Sequence, residues 1–205
     1  FILLTCLLLC AYACGKRPYP KSLIVADSLA SARPDSAIAL LNTLKESMKA
    51  ESEATRMYYR LLCIKANDKA YIRHTSDSLI LPVLHYYTEK KDEHHLPEAY
   101  YYAGRVYRDL EDAPLALDYF QKAIDALPDN KGYRLKSKIY SQMGTLFLYQ
   151  KTYDEALKIL KEARKCNIAL KDSASMVFNL RDIANGYRCL DQNDSSLYYL
   201  RKAYY

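Results

Sequence analysis

The chain contains no tryptophan and only five glycines, and its six cysteines show no regular spacing. Phosphate-binding loops and dinucleotide-binding turns need clustered glycines, whereas Gly104 and Gly144 each stand alone among apolar residues, so neither motif is present. The cysteines have neither the spacing of metal ligands nor the pattern of a disulfide framework. The sequence therefore predicts no nucleotide cofactor and no structural metal.

Catalytic motifs are also missing. None of the serines lies in a nucleophile elbow, so the sequence gives no support for acyl transfer. His94 and His95 follow Asp92 and Glu93, but adjacent residues point in different directions on a helix, and the segment ends at Pro97. We interpret this segment as a solvated loop rather than a metal site, because the ligand spacing is wrong for one. We expect no enzymatic activity and no cofactor.

The net charge of +6 is mild and is spread along the chain. No basic stripe and no recognition helix can be identified, so we expect no nucleic-acid binding by this segment.

What the sequence does contain is an apolar pattern that returns every 40 residues. In each copy, the spacing i, i+3, i+4, i+7 is followed by i, i+4, i+7, which gives an apolar stripe on each of two helices. The packing residues of the first copy are Tyr100, Gly104, Tyr107, Ala116, Phe120 and Ala123. Those of the second copy are Tyr140, Gly144, Phe147, Ala156, Leu160 and Ala163. Those of the third are Ala184, Tyr187, Leu200 and Ala203. Such a period predicts a stack of helical hairpins.

Small residues recur where the two helices of each copy would cross. Gly104, Gly144 and Ala184 lack bulk on the first helix, and Ala116 and Ala156 lack bulk on the second. Two helices with small residues at their crossing point can approach closely. We therefore expect tight packing within each hairpin.

In this order, the residues of 97–130 resemble the tetratricopeptide repeat (TPR), whose pattern is an aromatic residue, a large apolar residue, Gly, Tyr, Ala, an aromatic residue, Ala and Pro. Residues 137–170 match the pattern well, and residues 177–205 match it up to a point inside the second helix. The resemblance implies an all-α fold, a right-handed solenoid of about five helix-turn-helix hairpins. The family unit has about 34 residues, so we expect the extra residues to lengthen a helix or a link, as at 129–132.

Weaker copies of the pattern precede residue 97. Pro82 requires its helix to begin near Asp77 or Ser78, because proline is tolerated only in a first turn. We expect the solenoid to occupy 21–205, with hairpins at about 21–50, 54–92, 97–130, 137–170 and 177–205, the last truncated.

Residues 1–13 form an apolar run that is too short to cross a bilayer but suits an export signal. The small residues before Cys14 resemble a bacterial lipoprotein box, which implies lipidation of Cys14, and 14–20 would be a basic tether. The resemblance places the protein on the periplasmic side of a bacterial membrane, lipid-anchored. The alternative is a buried apolar N-terminal helix.

Four Asp-Ser-apolar triplets begin at Asp27, Asp35, Asp77 and Asp172. They resemble an O-glycosylation sequence of the Bacteroidetes. Asp and Ser are also the residues that helix N-termini require, and we favour capping for that reason.

In the TPR family, the first helix of each hairpin lines a groove that binds peptides. The positions carried over to this chain are Glu98, Tyr101, Arg105, Arg108, Lys138, Thr145, Tyr149, Arg181, Asn185 and Arg188. Arginine outnumbers acid at these positions, so the resemblance implies a protein or peptide partner that is acidic or offers its C-terminal carboxylate. The alternative is a solvated face without a ligand.

The chain from Cys14 onward also resembles a group of Bacteroidetes TPR proteins. It starts without Met and ends inside a predicted helix, so we interpret it as a fragment. Two functions follow as hypotheses. The first is a lipid-anchored periplasmic adaptor that holds a partner in its groove. The second is the sensory segment of a membrane-tethered helix-turn-helix transcriptional regulator, and it rests on the resemblance alone.

Overall fold

The structure, a computed structural model, describes residues 19–128 and 132–204. Within these residues the chain forms ten α-helices, one short 3-10 helix and no strand. The all-α prediction is therefore confirmed. The helices are α1 (Lys21–Ala32), α2 (Pro34–Leu44), α3 (Glu53–Lys69), α4 (Ile80–Glu89), α5 (Leu96–Asp109), α6 (Ala113–Asp125), α7 (Tyr133–Tyr149), α8 (Tyr153–Leu170), α9 (Ser173–Cys189) and α10 (Asn193–Tyr204). Within the described part of the chain, no helix is long and apolar enough to cross a bilayer.

The chain divides into two compact units, with the boundary between Ile72 and Arg73. In the first unit, α3 packs against both α1 and α2. Its core includes Leu23 of α1, Leu41 of α2 and Leu62 of α3, each almost fully buried. The predicted hairpin 54–92 spans the boundary between the units, because α3 lies in the first unit and α4 in the second. The predicted signal segment 1–13 and Cys14 lie outside the described residues.

The second unit contains α4 to α10, and each helix packs against the next along the chain. Because α4 begins at Ile80, Pro82 lies in its first turn, where a proline costs no helix hydrogen bond. Three helix pairs follow, namely α5–α6, α7–α8 and α9–α10. This order of helices is that of stacked hairpins, with connections of two to seven residues from α5 onward.

Glycines make the closest approach within two of these pairs. A Cβ atom added to Gly104 would lie 2.4 Å from the ring of Phe120, and one added to Gly144 would lie 2.5 Å from the side chain of Leu160. Real Cβ atoms do not approach other atoms so closely, so any side chain at either position would push the helices apart. A bulky residue on the second helix thus fills the space that glycine leaves on the first.

The packing pattern differs from expectation at the last pair and at several aromatic residues, since Tyr140 and Phe147 are only partly buried. Leu200 is 38% exposed, although the same register position in the preceding pair, Leu160, is fully buried. The difference arises because α9 covers α8, whereas no described helix follows α10. Tyr100 is only partly buried, and its ring lies 6.2 Å from that of Tyr119.

The extra length of the repeat lies mainly in the helices. α7 and α9 begin at Tyr133 and Ser173, about one turn before the predicted starts at 137 and 177. Between α6 and α7, the connection of 126–132 takes up additional residues, of which 129–131 lie outside the described part. Both expected ways of lengthening the unit therefore occur.

Left-handed backbone conformations recur at the helix ends. Six residues other than glycine have a positive φ, and they lie at intervals of 20 residues or a multiple of it. These residues are Tyr71, Lys91, Glu111, Lys151, Lys171 and Asp191. Each lies one or two residues after the last residue of a helix, where a left-handed residue lets the last carbonyl groups find partners. The interval is half of the 40-residue repeat, because each repeat contains two helices. Every helix from α3 to α9 except α6 is followed by one of these left-handed residues.

Replacing Lys151 by glycine is expected to raise the free energy of unfolding by about 0.5–1 kcal/mol. At a φ of +62°, lysine carries a steric cost of about 1–2 kcal/mol, which exceeds the extra chain entropy that glycine loses on folding. Urea unfolding measures the change. Lys158→Gly, in the middle of α8, is the matched control and should lower stability by about 1 kcal/mol. A loss of stability at both positions would contradict the prediction.

The four aspartates of the Asp-Ser triplets have different roles. Asp172 caps α9 by accepting a hydrogen bond from the amide of Ser175 at 3.0 Å, and Asp35 lies in the first turn of α2. Asp77 instead accepts from the hydroxyl of Tyr107 at 2.9 Å. Asp27 lies in the middle of α1, where Lys65 and Tyr58 donate to it at 2.7 and 3.0 Å. Capping therefore accounts for Asp172 but not for Asp27.

Candidate functional site

The first helices of the three pairs, α5, α7 and α9, carry the residues predicted to bind a ligand. We name the surface formed by these positions the first-helix face. Their spacings, i, i+3, i+7 and i+10 on α5, i, i+7 and i+11 on α7, and i, i+4 and i+7 on α9, put the positions of each helix on one side. Glu98, Arg105, Arg108 and Thr145 are partly buried, whereas Lys138, Tyr149, Arg181, Asn185 and Arg188 are exposed.

Tyr101 does not belong to this surface. It is 4% exposed, and its ring packs 5.0 Å from that of Tyr102 and 6.0 Å from that of Phe120. The prediction that Tyr101 contacts a ligand is therefore wrong. The aromatic ring is used to fill the core between α5 and α6, and this burial could not be read from its position in the repeat.

Two arginines of α5 converge on one residue of α7. Arg105 and Arg108 both donate hydrogen bonds to the amide oxygen of Gln142, and the distance from Arg108 is 2.7 Å. Both guanidinium groups are partly buried. The sequence analysis missed Gln142, although it lies three residues before Thr145 and next to the predicted face. These contacts bring α5 and α7 together through polar groups.

Asp109 organises the neighbouring part of the surface. Its carboxylate accepts from Arg108 at 2.6 and 3.1 Å and from the backbone amide of His74 at 3.1 Å. Burial opposes the charged form, but the hydrogen bonds from Arg108 and His74 outweigh it and hold the pKa of Asp109 below its ordinary value. Arg73 adds a hydrogen bond to the backbone oxygen of Asp109 at 2.8 Å. The segment before α4 is thereby fixed to the end of α5.

Replacing Asp109 by asparagine is expected to lower the free energy of unfolding at pH 7 by about 1–2 kcal/mol, because Arg108 loses a charged acceptor. A carboxyl whose pKa is lowered on folding stabilises the protein above its unfolded pKa, and the contribution is lost as pH falls through the folded value. Wild type should therefore lose stability below about pH 4 more steeply than Asp109→Asn. Thermal unfolding between pH 2 and 7 measures both effects. Asp118→Asn, at an exposed position of α6, is the control, and equal behaviour of the two variants would refute the role of Asp109.

The part of the face on α9 is more open. Arg181 lies over the ring of Phe178, with 5.4 Å between the guanidinium carbon and the ring centroid, and pairs with Asp182 at 3.0 Å. Arg188 donates to the side-chain oxygen of Asn185 at 2.7 Å. Both arginines bind groups of their own helix, and neither contact extends to another helix. This region therefore presents cationic groups at the surface.

His95 does not lie in a solvated loop, contrary to the prediction for this segment. Its side chain is 12% exposed, its ring stacks on that of Tyr87 at 5.0 Å, and Nδ1 lies 3.0 Å from Asp92. Burial would raise the pKa of Asp92, but the hydrogen bonds from His95 and from the amides of His95 and His94 keep it below its ordinary value. The cluster stabilises the turn that leads into α5, because Asp92 accepts hydrogen bonds from the amides of His94 and His95. Across 19–128 and 132–204, no group of three or more His, Cys, Asp or Glu side chains could hold a metal ion.

Two thiols lie in environments that disfavour the thiolate. Burial raises the pKa of Cys63, and burial also raises the pKa of Cys166. A thiol with a raised pKa is a poor nucleophile at neutral pH. Neither cysteine is therefore suited to covalent catalysis.

Comparison with known proteins bears on the helix pair α5–α6. Residues 97–130 match the family model of the tetratricopeptide repeat. This repeat contains Arg105 and Arg108, so the arginine pair lies on the first helix of a recognised TPR unit. A search of curated proteins finds no match.

Solved structures with TPR-like repeats share the fold of the chain. Nearly identical TPR-like repeats assigned to a kinesin light chain of Podosopora anserina align with a TM-score of 0.66 and 11% identity, covering 89% of this chain and 92% of that one. A substituted form of the same repeats gives 0.67 and 11%, covering 89% and 91%. MamA aligns with a TM-score of 0.60 and 18% identity, covering 87% and 92%. At these identities the likeness shows the TPR-like fold.

Proposed function

We propose that this chain is a non-catalytic adaptor whose first-helix face binds a protein or peptide partner that carries carboxylates. The observation that carries the proposal is the pair Arg105 and Arg108, whose guanidinium groups share the neutral amide oxygen of Gln142. Asp109 balances the charge of Arg108. A partner carboxylate in place of Gln142 would form charge-assisted hydrogen bonds, which are roughly twice as strong as neutral ones.

The repeat architecture supports the same function. Stacked helical hairpins present extended surfaces that bind peptides and partner helices. Further along the first-helix face, Lys138 adds a positive charge and Tyr149, which is 80% exposed, adds a flat aromatic surface. Exposed tyrosine and arginine are typical of the residues that contribute most to binding.

The proposal includes attachment to a membrane through lipidated Cys14 on the periplasmic side of a bacterial envelope. It rests on the apolar run 1–13 and the small residues before Cys14. The exposed basic residues of the second unit would then face partners in the same compartment.

A photo-crosslinking residue placed at Thr145 tests the binding surface. With a short glutamate-rich peptide as the probe, we expect a crosslinked product from the chain labelled at Thr145 and none from a chain labelled at Gln121, which is exposed on α6. A lysine-rich peptide of equal length is the charge control and should give no product. Equal yields at both positions would contradict the assignment of the surface, and equal yields with both peptides would contradict the preference for carboxylates.

A further inference from the structure

One neutral side chain lies on the two arginines of the candidate site. Arg105 and Arg108 of α5 both donate to the side-chain oxygen of Gln142 on α7, at 2.7 Å from Arg108. A guanidinium group has donors and no acceptor, so only the oxygen of an amide can face two of them. Gln142 therefore occupies the position at which an acceptor from another molecule would meet both charges.

The contact is not a general feature of the repeat. The equivalent residues 40 positions later are Thr145, Leu148 and Asp182, so α7 offers no arginine pair to α9 at these positions. Thr145 donates to the backbone oxygen of Ser141 at 2.9 Å, and Asp182 pairs with Arg181 at 3.0 Å. Helix α9 nevertheless packs against α8. The bond from the arginines to Gln142 is thus an addition to the repeat and not a requirement of stacking.

The three side chains are accessible, and Gln142 can leave without a change of fold. Arg105, Arg108 and Gln142 are each partly exposed. The apolar neighbours that hold α7 in place, Ile139 and Met143, are buried. Rotation about the side-chain torsions of Gln142 would therefore free both guanidinium groups while the helix stays where it is. The amide would regain hydrogen bonds to water, which offsets much of the loss.

The charge of an incoming acceptor decides whether it can displace Gln142. A neutral amide would replace the amide of Gln142 like for like, and its own chain would lose freedom of motion on binding. A carboxylate would form charge-assisted hydrogen bonds, which are roughly twice as strong as neutral ones. Displacement is therefore favourable for a carboxylate.

We propose that Gln142 is an internal competitor for the arginine pair and thereby sets the affinity of the first-helix face. The inference rests on the function proposed above and adds the residue that regulates the site. Without a partner, Gln142 holds Arg105 and Arg108. A partner carboxylate binds in the fraction of molecules in which Gln142 has turned away, and the measured affinity is reduced by that fraction.

Two substitutions of Gln142 test the proposal because they should act in opposite directions. Gln142→Ala removes the competitor and should strengthen binding of a glutamate-rich peptide about 5–20-fold. Gln142→Glu places a carboxylate within the chain and should weaken binding at least about tenfold. Fluorescence anisotropy measures both affinities. Gln121→Ala and Gln121→Glu, at an exposed position of α6, are the matched controls and should change affinity by less than about twofold.

A second measurement needs no ligand. Because the bond to Gln142 joins α5 and α7, Gln142→Glu should raise the midpoint of thermal unfolding and Gln142→Ala should lower it. Circular dichroism follows the unfolding and also shows whether each variant keeps its helix content. Unchanged midpoints in both variants would mean that the contact does not form in solution, which would overturn the proposal.

The binding results separate the competitor from the function on which it rests. Peptide binding that depends on Arg105 and Arg108 but is the same in both Gln142 variants would overturn the competitor and leave the proposed function standing. Weaker binding by Gln142→Ala would mean that Gln142 contacts the ligand, which also overturns it. If neither wild type nor Gln142→Ala bound the peptide, the proposed function and the competitor would both be wrong. Binding by Gln142→Ala that exceeds that of wild type, with the reverse for Gln142→Glu, would support the proposal.

Discussion

Replacing Phe120 by alanine is expected to lower the free energy of unfolding by about 3–5 kcal/mol, the usual cost of removing a buried phenylalanine. The ring is completely buried and fills the space over Gly104. Since the free energy of unfolding of a domain is typically about 5–15 kcal/mol, this substitution would remove a large part of the protein's stability. Urea unfolding followed by circular dichroism measures the change. Tyr149→Ala, at an exposed position, should stay within about 0.5 kcal/mol of wild type.

A second substitution shows whether the loss comes from the contact between Gly104 and Phe120. In the wild-type background, Gly104→Ala should destabilise by about 1–3 kcal/mol, because the new methyl group would overlap the ring. In the Phe120→Ala background there is room for it, and the same change should stabilise by up to about 1 kcal/mol through helix propensity. If Gly104→Ala had the same effect in both backgrounds, the close packing of the two helices would not be the cause.

Reversing the charge of both Arg105 and Arg108 to glutamate is expected to weaken binding of a glutamate-rich peptide at least about 100-fold. A hydrogen bond between charged groups contributes about 1.5–3 kcal/mol, and like charges brought together add a further cost. A loss of about 2.7 kcal/mol already corresponds to 100-fold in Kd. Fluorescence anisotropy at low and physiological salt measures the affinity.

The matched control for this prediction is the double change Lys158→Glu and Lys165→Glu on α8. Both double variants lower the formal net charge from +6 to +2, but the lysines lie outside the first-helix face. Binding should be retained in the lysine variant apart from a modest effect on long-range attraction. If both variants lost affinity equally, the peptide would respond to net charge and not to the arginine pair, and the candidate site would be wrong.

The repeating part of the fold could be predicted from the sequence because packing between successive hairpins is local. Each hairpin contacts its neighbours, so the same spacing of apolar residues recurs, and Gly104 and Gly144 mark the places where the helices come closest. The helix starts at Tyr133 and Ser173 were predicted one turn late, because the predicted bounds followed the family pattern of about 34 residues, which begins after the added turn. The boundary after Ile72 was not predicted, since it depends on which neighbour α3 packs against.

The candidate site was predicted less completely than the fold. Helical spacing placed Arg105, Arg108 and Arg188 on one side of their helices, and the structure shows these side chains at least partly exposed. Spacing could not show that Tyr101 turns into the core, nor that Gln142 reaches across to both arginines, because both facts depend on the distance between helices. His95, too, is largely covered by a ring that lies eight residues earlier in the chain, that of Tyr87.

The sequence by itself thus determined the helical repeat, its 40-residue period and the positions of the close helix crossings, because each follows from residues near one another along the chain. The tertiary structure alone decided which side chains remain available to a partner. Leu160 and Leu200 occupy the same position in the repeat, yet one is buried and the other is exposed, because exposure depends on whether a neighbouring helix lies over it.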